Sequence, residues 1–212
     1  MKKEYTAMPS SMENMGYWGF SWHEFVMAIP SPLFVATSYK SNGKPNACLQ
    51  SWACFNSNYA ILSSVNMLGH LYQTIKETGV VVLNFPSANI YDRCSDTIKN
   101  NGWETDEIIA SGLTVEPATT IHAPRIAECF LSLECRCLWD KQIAEGDNHA
   151  LICFEIVNVV VDVEHLDEKQ KGRYGETGFL FNLHHPINPE DFGGTAHDYL
   201  GTITKLRDIG EY

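Results

Sequence analysis

Residues 131–139 read Leu131-Ser132-Leu133-Glu134-Cys135-Arg136-Cys137-Leu138-Trp139, and apolar side chains alternate with polar ones along most of this stretch. A strand points successive side chains to opposite faces, so the apolar members, including Cys135, Cys137 and Trp139, are predicted to share one buried face. This alternation is typical of a half-buried antiparallel strand. A second long strand, more continuously apolar, is predicted from Ala150 to Val163.

Shorter strand patterns lie on both sides of this pair. They cover Leu33 to Tyr39, Pro45 to Phe55, Tyr59 to Ser63 and Val80 to Phe85, with a last candidate at Gly178 to Phe181. Asn42-Gly43 between the first two is a hairpin-turn signal, because both residue types tolerate positive φ. Six or more strands with few helices predict a closed or nearly closed antiparallel barrel, which also removes exposed strand edges.

Helical patterns are few. A short helix is predicted from Trp22 to Ala28, and one or two more between Asn89 and Gly112. The clearest helix carries its apolar residues at helical spacing, with Gly79 placed to cap its C-terminus. Its apolar residues are Leu68, Leu71, Tyr72 and Ile75.

The chain of 212 residues is long enough for one domain. We expect an N-terminal extension over residues 1–29 and a barrel core over residues 30–165. Residues 166–212 are expected to provide a last strand and a tail that complete the same domain.

Composition excludes several classes of protein. Hydrophobic residues make up 44% of the chain and charged residues 19%, as in a globular domain. The 26 acidic residues exceed the 15 basic ones, and the net charge of −11 disfavours binding to nucleic acids or to an anionic membrane surface. There is neither a membrane-spanning apolar run nor a signal peptide at the start, and seven cysteines without a C-x-x-C pair fit a reducing, cytoplasmic location.

Several familiar chemistries lack support in the sequence. No cysteine or histidine spacing matches a structural metal site, so no metal ligands are predicted. Cys135 and Cys137 are predicted to share a face, but they share it with Leu131, Leu133 and Trp139, which favours core packing. Neither a glycine-rich phosphate loop nor a recognisable nucleophile motif is present.

One constellation of polar residues remains. A strand carrying Asn46, Gln50 and Ser51 leads into Trp52, and another strand ends in Ser63-Ser64-Val65-Asn66 at a helix N-terminus. Free N–H groups and the helix dipole suit such a position to a phosphate, and the neighbouring strand could bind a flat heterocycle. The same residues also fit ordinary capping, in which Ser64 or Asn66 closes the helix and nothing binds. On the residues alone, capping is favoured because Ser and Asn are preferred caps.

A further set of short motifs occurs in a fixed order along residues 30–163. They are Pro32–Thr37, Gly43–Ala47, Ser51-Trp52, Ser63, Ile75–Gly79, Val82–Pro86, Ser111–Thr114, Pro124–Glu128, Leu133–Cys135 and Gly146–His149. In this order and spacing, the chain resembles the flavin reductase-like family, which includes the flavoredoxins.

The resemblance implies a mainly β fold, an antiparallel Greek-key split barrel with a few short helices. It further implies a homodimer that binds FMN non-covalently near the dimer interface. The residues carried over from the family as bordering the flavin ring are Asn46, Gln50, Ser51, Trp52, Ala53 and Cys54. Those carried over to the ribityl chain and phosphate, or close to them, are Ser63, Ser64, Asn66, His70, Asn84 and His149.

The implied function is that of a flavoprotein oxidoreductase, either a flavin reductase or a flavoredoxin-like electron carrier. NADH or NADPH would supply electrons directly or through a redox partner protein. The flavin itself carries the electrons, so no acid–base pair is expected and no catalytic residue is named. One alternative is a ligand-binding barrel without turnover, because Leu71 and Phe154 depart from the family pattern. Another is a thiol- or metal-dependent protein, suggested by the number of cysteines.

Overall fold

In the computed structural model, residues 1–15, 21–167, 169, 171–184, 186–192, 194 and 196–210 are described. Parts of the predicted extension and tail, residues 16–20 among them, therefore lie outside the described residues. The chain divides into two compact units. The larger unit comprises residues 32–180 and 202–212, and the smaller comprises residues 1–31 and 181–201. Residues 166–212, treated as one segment in the sequence, are thus shared between the two units.

Most of the elements are strands, with a few short helices between them. In chain order they are α1 (Trp22–Met27), β1 (Ser31–Pro32), β2 (Phe34–Tyr39), β3 (Pro45–Gln50), β4 (Ala53–Asn56), β5 (Tyr59–Asn66), α2 (His70–Thr78), β6 (Val80–Phe85), α3 (Tyr91–Lys99), α4 (Glu107–Ala110), β7 (Val115–Pro117), β8 (Pro124–Ile126), β9 (Leu131–Gln142), β10 (His149–Val161), β11 (Leu180–Asn182) and β12 (Leu200–Thr202). Four single turns of 3-10 helix occur at Ser10–Met12, Ala88–Ile90, Val163–His165 and Gly175–Thr177.

Seven strands form the main sheet, in the order β3-β2-β6-β9-β10-β5-β4, and the pairs are antiparallel. Strands β3 and β4 lie at opposite edges of the sheet, yet only Ser51 and Trp52 separate them in the chain. The sheet must therefore curl until its edges meet. A hydrogen bond from the Ser63 N–H to the Trp52 carbonyl, 2.9 Å long, joins this connection to β5. The predicted split barrel is confirmed.

This connection corrects one predicted strand. The sequence suggested a single strand from Pro45 to Phe55, whereas the structure breaks it at Ser51 and Trp52 and sends the two halves to opposite edges. The alternation of side chains does not reveal such a break, because both halves are strand-like. The predicted turn at Asn42-Gly43 is confirmed, with Gly43 at φ +80°.

The barrel interior holds the main apolar core. Its fully buried members include Phe34 on β2, Leu62 on β5, Leu83 on β6 and Phe154 on β10. Leu71 and Ile75 of α2 belong to the same core, so this helix covers one part of the barrel. Its C-terminus is capped by Gly79 at φ +71°, as predicted.

The long pair β9–β10 is confirmed, but its faces differ from the prediction. Leu138 is an extra residue in β9, because Cys137 pairs with Phe154 and Trp139 pairs with Cys153. This bulge reverses the alternation, so Trp139 turns away from the core and is 46% exposed. The other face of β9 is also buried near its start, where Ser132 and Glu134 are covered rather than solvated.

A second apolar cluster covers the outer face of β2 and β3. Val35 and Ala47 meet residues of α3 and α4 there, including Cys94 and Ile108. Helices α3 and α4 confirm the prediction of short helices between Asn89 and Gly112. The hairpin β7–β8 adds Ile126 to the same cluster.

The smaller unit has its own apolar cluster, made of Met12, Met15, Phe25 and Ala196. Helix α1 supplies Phe25, whose carbonyl accepts the Ile187 N–H. Strands β1, β11 and β12 form a small sheet in the order β1-β11-β12.

Candidate functional site

The N-terminus of α2 has no side-chain cap. The helix begins at His70, and its N-cap residue is Gly69, which has no side chain to accept a hydrogen bond from the first turn. Asn66 instead accepts the Leu68 N–H at 2.9 Å within the preceding turn, and Leu68 itself is exposed outside the helix. The capping interpretation, in which Ser64 or Asn66 closes the helix, is therefore wrong. The positive end of the helix dipole remains open to an anion.

The strand that leads to this helix is distorted at the two predicted serines. Leu62 pairs with Ile152 and Val65 with Ala150, so Ser63 and Ser64 together face one residue of β10. Ser64 has φ +62°, in the left-handed region that residues other than glycine rarely adopt. Strain of this kind is concentrated at binding and catalytic sites.

The start of β10 lies beside the end of β5. His149 pairs with Asn66, and the Met67 N–H donates to the Asn148 carbonyl at 2.8 Å. The His149 ring lies 2.7 Å from the Asp147 carboxylate, measured from Nδ1 to Oδ1. The hydrogen bonds of the His149 side chain and backbone lower the pKa of Asp147. His149 therefore lies on the strand next to the predicted phosphate end.

Asn46 is the most buried of the predicted site residues on β3, with 1% of its surface exposed. It pairs with Ser38 on β2, and the Ser38 hydroxyl bonds the Thr74 hydroxyl of α2 at 2.5 Å. Because paired residues share a face, Asn46 lies on the face of β3 that α2 covers. No hydrogen-bond acceptor for its Nδ2 exists among the described residues. A buried donor without an acceptor is rare in proteins, so Asn46 remains a candidate ligand contact.

Residues 50–54 run along the split between the two sheet edges. Gln50 donates to the Cys48 sulfur at 3.0 Å, and Ser51 is buried. Exposure increases along the link through Trp52 and Ala53, and Cys54 is solvent-exposed. The predicted residues 50–54 therefore lie where the two sheet edges meet, and the outer end of this link is open to solvent.

Asn84 lies elsewhere. It is fully buried on the face of β6 opposite the barrel core, where its Nδ2 donates to the Val35 carbonyl and to the Thr37 hydroxyl, each at 3.0 Å. Its Oδ1 accepts the Ile126 N–H at 3.1 Å and the Ser132 hydroxyl at 2.9 Å. These bonds occupy the amide fully, so the site described here does not include Asn84.

The structure adds three residues that the sequence did not indicate. Lys40, Trp103 and Glu107 gather around His70, the first residue of α2. They come from the end of β2, from a loop and from the start of α4, so no local spacing marks them. Only the tertiary fold brings them to the helix N-terminus.

The site as a whole can hold a phosphate and a flat polar heterocycle. The uncapped helix beside Ser63 and Ser64 has the properties that a phosphate requires, and residues 50–54 are the predicted contacts of the heterocycle. The unpartnered amide of Asn46 belongs to β3, which leads into residues 50–54. FMN has these two parts, so the residues present fit it.

The model of one protein family, described as the flavin reductase like domain, matches residues 26–178. Among curated proteins, an uncharacterized protein of Methanothermobacter thermautotrophicus is 27% identical over 90 residues. That match spans only 42% of each chain.

Solved structures share the whole fold at low sequence identity. Flavoredoxin of Desulfovibrio vulgaris (Miyazaki F) is 19% identical with a TM-score of 0.70, over 99% of this chain and 98% of that one. A protein from Shewanella frigidimarina NCIMB 400, described as having a split barrel domain, is 16% identical with a TM-score of 0.73, over 95% and 96%. The FMN-binding protein of Thermus thermophilus is 14% identical with a TM-score of 0.68, over 99% and 100%.

In the described part of the chain, no helix has the length and apolar character needed to cross a bilayer. Among the same residues, no three His, Cys, Asp or Glu side chains gather where they could hold a metal ion.

Proposed function

The chain belongs to the flavin reductase-like family, and from this membership we propose that it is an FMN-binding flavoprotein oxidoreductase. The observation that carries the proposal is the uncapped N-terminus of α2, next to a β3 whose buried Asn46 amide has no acceptor among the described residues. Both features are hydrogen-bond donors without a side-chain acceptor, and a phosphorylated ligand would provide oxygen acceptors for them.

In this proposal the chain binds and orients FMN non-covalently. The first-turn N–H groups of α2, with Ser63 and Ser64, hold the phosphate, and residues 50–54 border the ring. When bound, the flavin supplies the redox chemistry by taking up and passing on electrons. The protein provides position and electrostatics, and NADH or NADPH is the electron donor, directly or through a redox partner protein.

Two sequence departures suggested a binding barrel without turnover. Leu71 and Phe154 both pack in the barrel core, at 5% and 0% exposure. Both side chains therefore act as core residues, and we favour turnover over simple binding.

We also propose a homodimer and a cytoplasmic location. An outward-facing row crosses four neighbouring strands through the pairs Trp139–Cys153, Cys153–Ile61 and Ile61–Cys54. We call these four residues the outer row. It ends at Cys54, beside the proposed ring site, as an interface near the flavin requires. All seven cysteines are described and are free thiols, which fits a reducing compartment.

The first experiment is the visible absorption spectrum of the purified protein after adding FMN and removing the excess. We expect a retained flavin spectrum, and bleaching of that spectrum when NADH or NADPH is added without oxygen. Bleaching only after a reductase partner is added would support the electron-carrier form. If no flavin remains bound even at high FMN concentration, the proposal is wrong.

Amino-acid substitutions then test where the phosphate of FMN binds. Replacing Ser64 and Asn66 with Ala should weaken FMN binding by about 1–3 kcal/mol, the range for hydrogen bonds to charged groups. Asn188→Ala is the matched control, because Asn188 is exposed and accepts the Glu190 N–H in a turn like that of Asn66. Unchanged affinity in the double variant would contradict this placement of the phosphate.

A further inference from the structure

Two of the seven cysteines lie together outside the proposed flavin site. Cys94 of α3 is 0% exposed and belongs to the second apolar cluster, and Cys129, just after β8, is partly buried against that cluster. Both are free thiols. Burial and the neighbouring Cys94 thiol raise the pKa of Cys129 well above its usual value. The two thiols are therefore neighbours in space, although they are far apart in the chain.

An ion pair holds the two segments beside each other. The Arg93 guanidinium lies 3.5 Å from the Glu128 carboxylate, from Nη1 to Oε1. These two residues immediately precede Cys94 and Cys129. Glu128 also accepts the N–H and the hydroxyl of Thr114, at 3.1 and 3.0 Å. The contact between α3 and the segment before β9 is thus fixed by polar bonds next to the thiol pair.

A small cavity gives access to one of the two cysteines. Its volume is about 190 Å³, and its lining includes Cys129, Arg125, Ser132 and Asp162 but not Cys94. A water molecule occupies about 30 Å³ in the liquid, so the cavity admits a molecule as small as hydrogen peroxide. A large aromatic reagent does not fit there.

Core packing accounts for a single buried cysteine, which usually acts as a small hydrophobe. It does not require two neighbouring thiols, one of them at a cavity. A metal site is not indicated, because no three His, Cys, Asp or Glu side chains gather around a possible ion in the part of the chain that the structure describes. Two neighbouring thiols can instead be oxidised to a disulfide.

We propose that Cys94 and Cys129 are a redox pair that a hydroperoxide converts to a reversible disulfide. With hydrogen peroxide, the Cys129 sulfur attacks one oxygen, the O–O bond breaks, and a sulfenic acid forms with release of water. The Cys94 sulfur then attacks the Cys129 sulfur, and the S–O bond breaks with release of a second water. The two thiols lose two electrons and two protons, and the peroxide takes up both.

The reaction is expected to be slow. The thiolate is the reactive form of cysteine, and the raised pKa of Cys129 keeps its thiol protonated near neutral pH. The exposed Cys54 should therefore react first. Slow formation suits a pair that stays reduced in a reducing compartment and closes under sustained oxidation. The disulfide ties α3 to the segment before β9, which constrains the unfolded chain and stabilises the fold.

The experiment treats the purified protein with excess hydrogen peroxide and analyses proteolytic fragments by tandem mass spectrometry. We expect a bond between Cys94 and Cys129, with loss of two hydrogen atoms, and we expect dithiothreitol to restore both thiols. The oxidised protein should melt about 5 °C above the reduced protein. The large aromatic disulfide DTNB should label Cys54 in the folded protein and leave this pair unlabelled.

Variants separate the roles of the two thiols. Cys94→Ala removes the second thiol, so oxidation of Cys129 should stop at the sulfenic acid, which dimedone traps. Cys135→Ala is the matched control, because Cys135 is also a free thiol at 0% exposure but lies in the main core. This control should form the disulfide at the wild-type rate.

Two results would overturn the inference, and both are read in wild type, so a variant that fails to fold does not affect them. One is that Cys94 and Cys129 both remain thiols after prolonged treatment has fully oxidised Cys54. The other is oxidation of Cys129 to the sulfinic acid while Cys94 stays reduced. Neither result depends on bound FMN, so a failure to bind FMN bears on the proposed function alone.

Discussion

Two buried asparagines have opposite hydrogen-bonding states. Asn84 uses its donor and its acceptor on protein groups, whereas the Nδ2 of Asn46 has no acceptor among the described residues. An amide whose bonds are complete stabilises the fold, and a buried amide with a free donor is available to a ligand. The side chains are identical, so the difference comes entirely from their neighbours.

We therefore expect Asn46→Ala and Asn84→Ala to separate binding from stability. Asn84→Ala leaves the Ile126 N–H and the Ser132 hydroxyl without their acceptor and should lower the free energy of unfolding by about 2–4 kcal/mol. Asn46→Ala breaks no bond of the Nδ2 group and should cost the apoprotein only about 1 kcal/mol or less. It should weaken FMN binding about tenfold.

Urea unfolding of the apoproteins and FMN titration of each variant provide the check. Asn84→Ala, compared at a temperature where it is folded, serves as the control with unchanged FMN affinity. If Asn46→Ala kept full affinity, its amide would not be a ligand of the flavin.

The segment between β7 and β9 depends on one carboxylate. Glu134 on β9 is 0% exposed and accepts the N–H groups of Thr119 and Thr120 at 2.8 and 2.7 Å. Arg125 of β8 also bonds it, at 3.1 Å. Burial acts to raise the pKa of Glu134, but the hydrogen bonds from Thr119 and Thr120 outweigh it and lower the pKa below its usual value.

This shift fixes the direction of a stability change with pH. A carboxyl with a lowered folded-state pKa stabilises the protein above its unfolded pKa of about 4.3, and that contribution is lost as pH falls through the folded value. Glu134→Gln should therefore lower the free energy of unfolding near neutral pH by about 3 kcal/mol. The deficit should shrink as the solution is acidified.

Glu116→Gln is the matched control for Glu134→Gln. Glu116 bonds the same Arg125 at 3.1 Å, but its side chain is 49% exposed, so its loss should cost about 1 kcal/mol or less. Thermal melts at several pH values would measure both variants. Equal losses, or a deficit in Glu134→Gln that stayed constant in acid, would contradict the role given to Glu134.

The sequence predicted that these elements exist more accurately than it predicted which of their faces are buried. The long strands β9 and β10 and the helix α2 follow from periodicity, because each buries a continuous apolar set. Glu134 was expected on a solvated face, since alternation alone does not show that residues 117–126 will cover it. The bulge at Leu138 turns Trp139 outward. This bulge depends on how β9 pairs with β10, and the sequence of residues 131–139 alone does not predict that pairing.

Prediction of the candidate site from the sequence has the same limit, because part of the site depends on tertiary contacts. Asn46, Gln50, Ser51, Ser63 and Ser64 were predicted because they are small polar residues of two strands, whereas Ala53 and Cys54 were carried over from the family resemblance. The buried pair of Lys40 and Glu107 was missed, because its members meet only in the folded chain. Single charged residues of an acidic protein carry no local sign that they will be buried.

At the scale of the whole molecule, the outer row lies on the outside of the barrel, with Trp139 and Cys54 exposed at its ends and Ile61 and Cys153 more buried between them. Trp139 is 46% exposed, and its cross-strand neighbours continue the row to Cys54. A large aromatic side chain on a flat sheet face is favoured at the centre of protein interfaces. If two copies pair through this row, each proposed ring site lies beside the interface.

We therefore expect a dimer in light scattering, and a monomer for Trp139→Lys, because a charge at the centre of an apolar interface has no partner. The monomer should also bind FMN more weakly, since Cys54 and the ring-bordering residues adjoin the row. Val159→Lys is the control, because Val159 is an exposed apolar residue of β10 outside the row, at 55% exposure. A wild-type monomer, or a Trp139→Lys dimer with unchanged FMN affinity, would contradict an interface at this face and would leave FMN binding to each barrel alone.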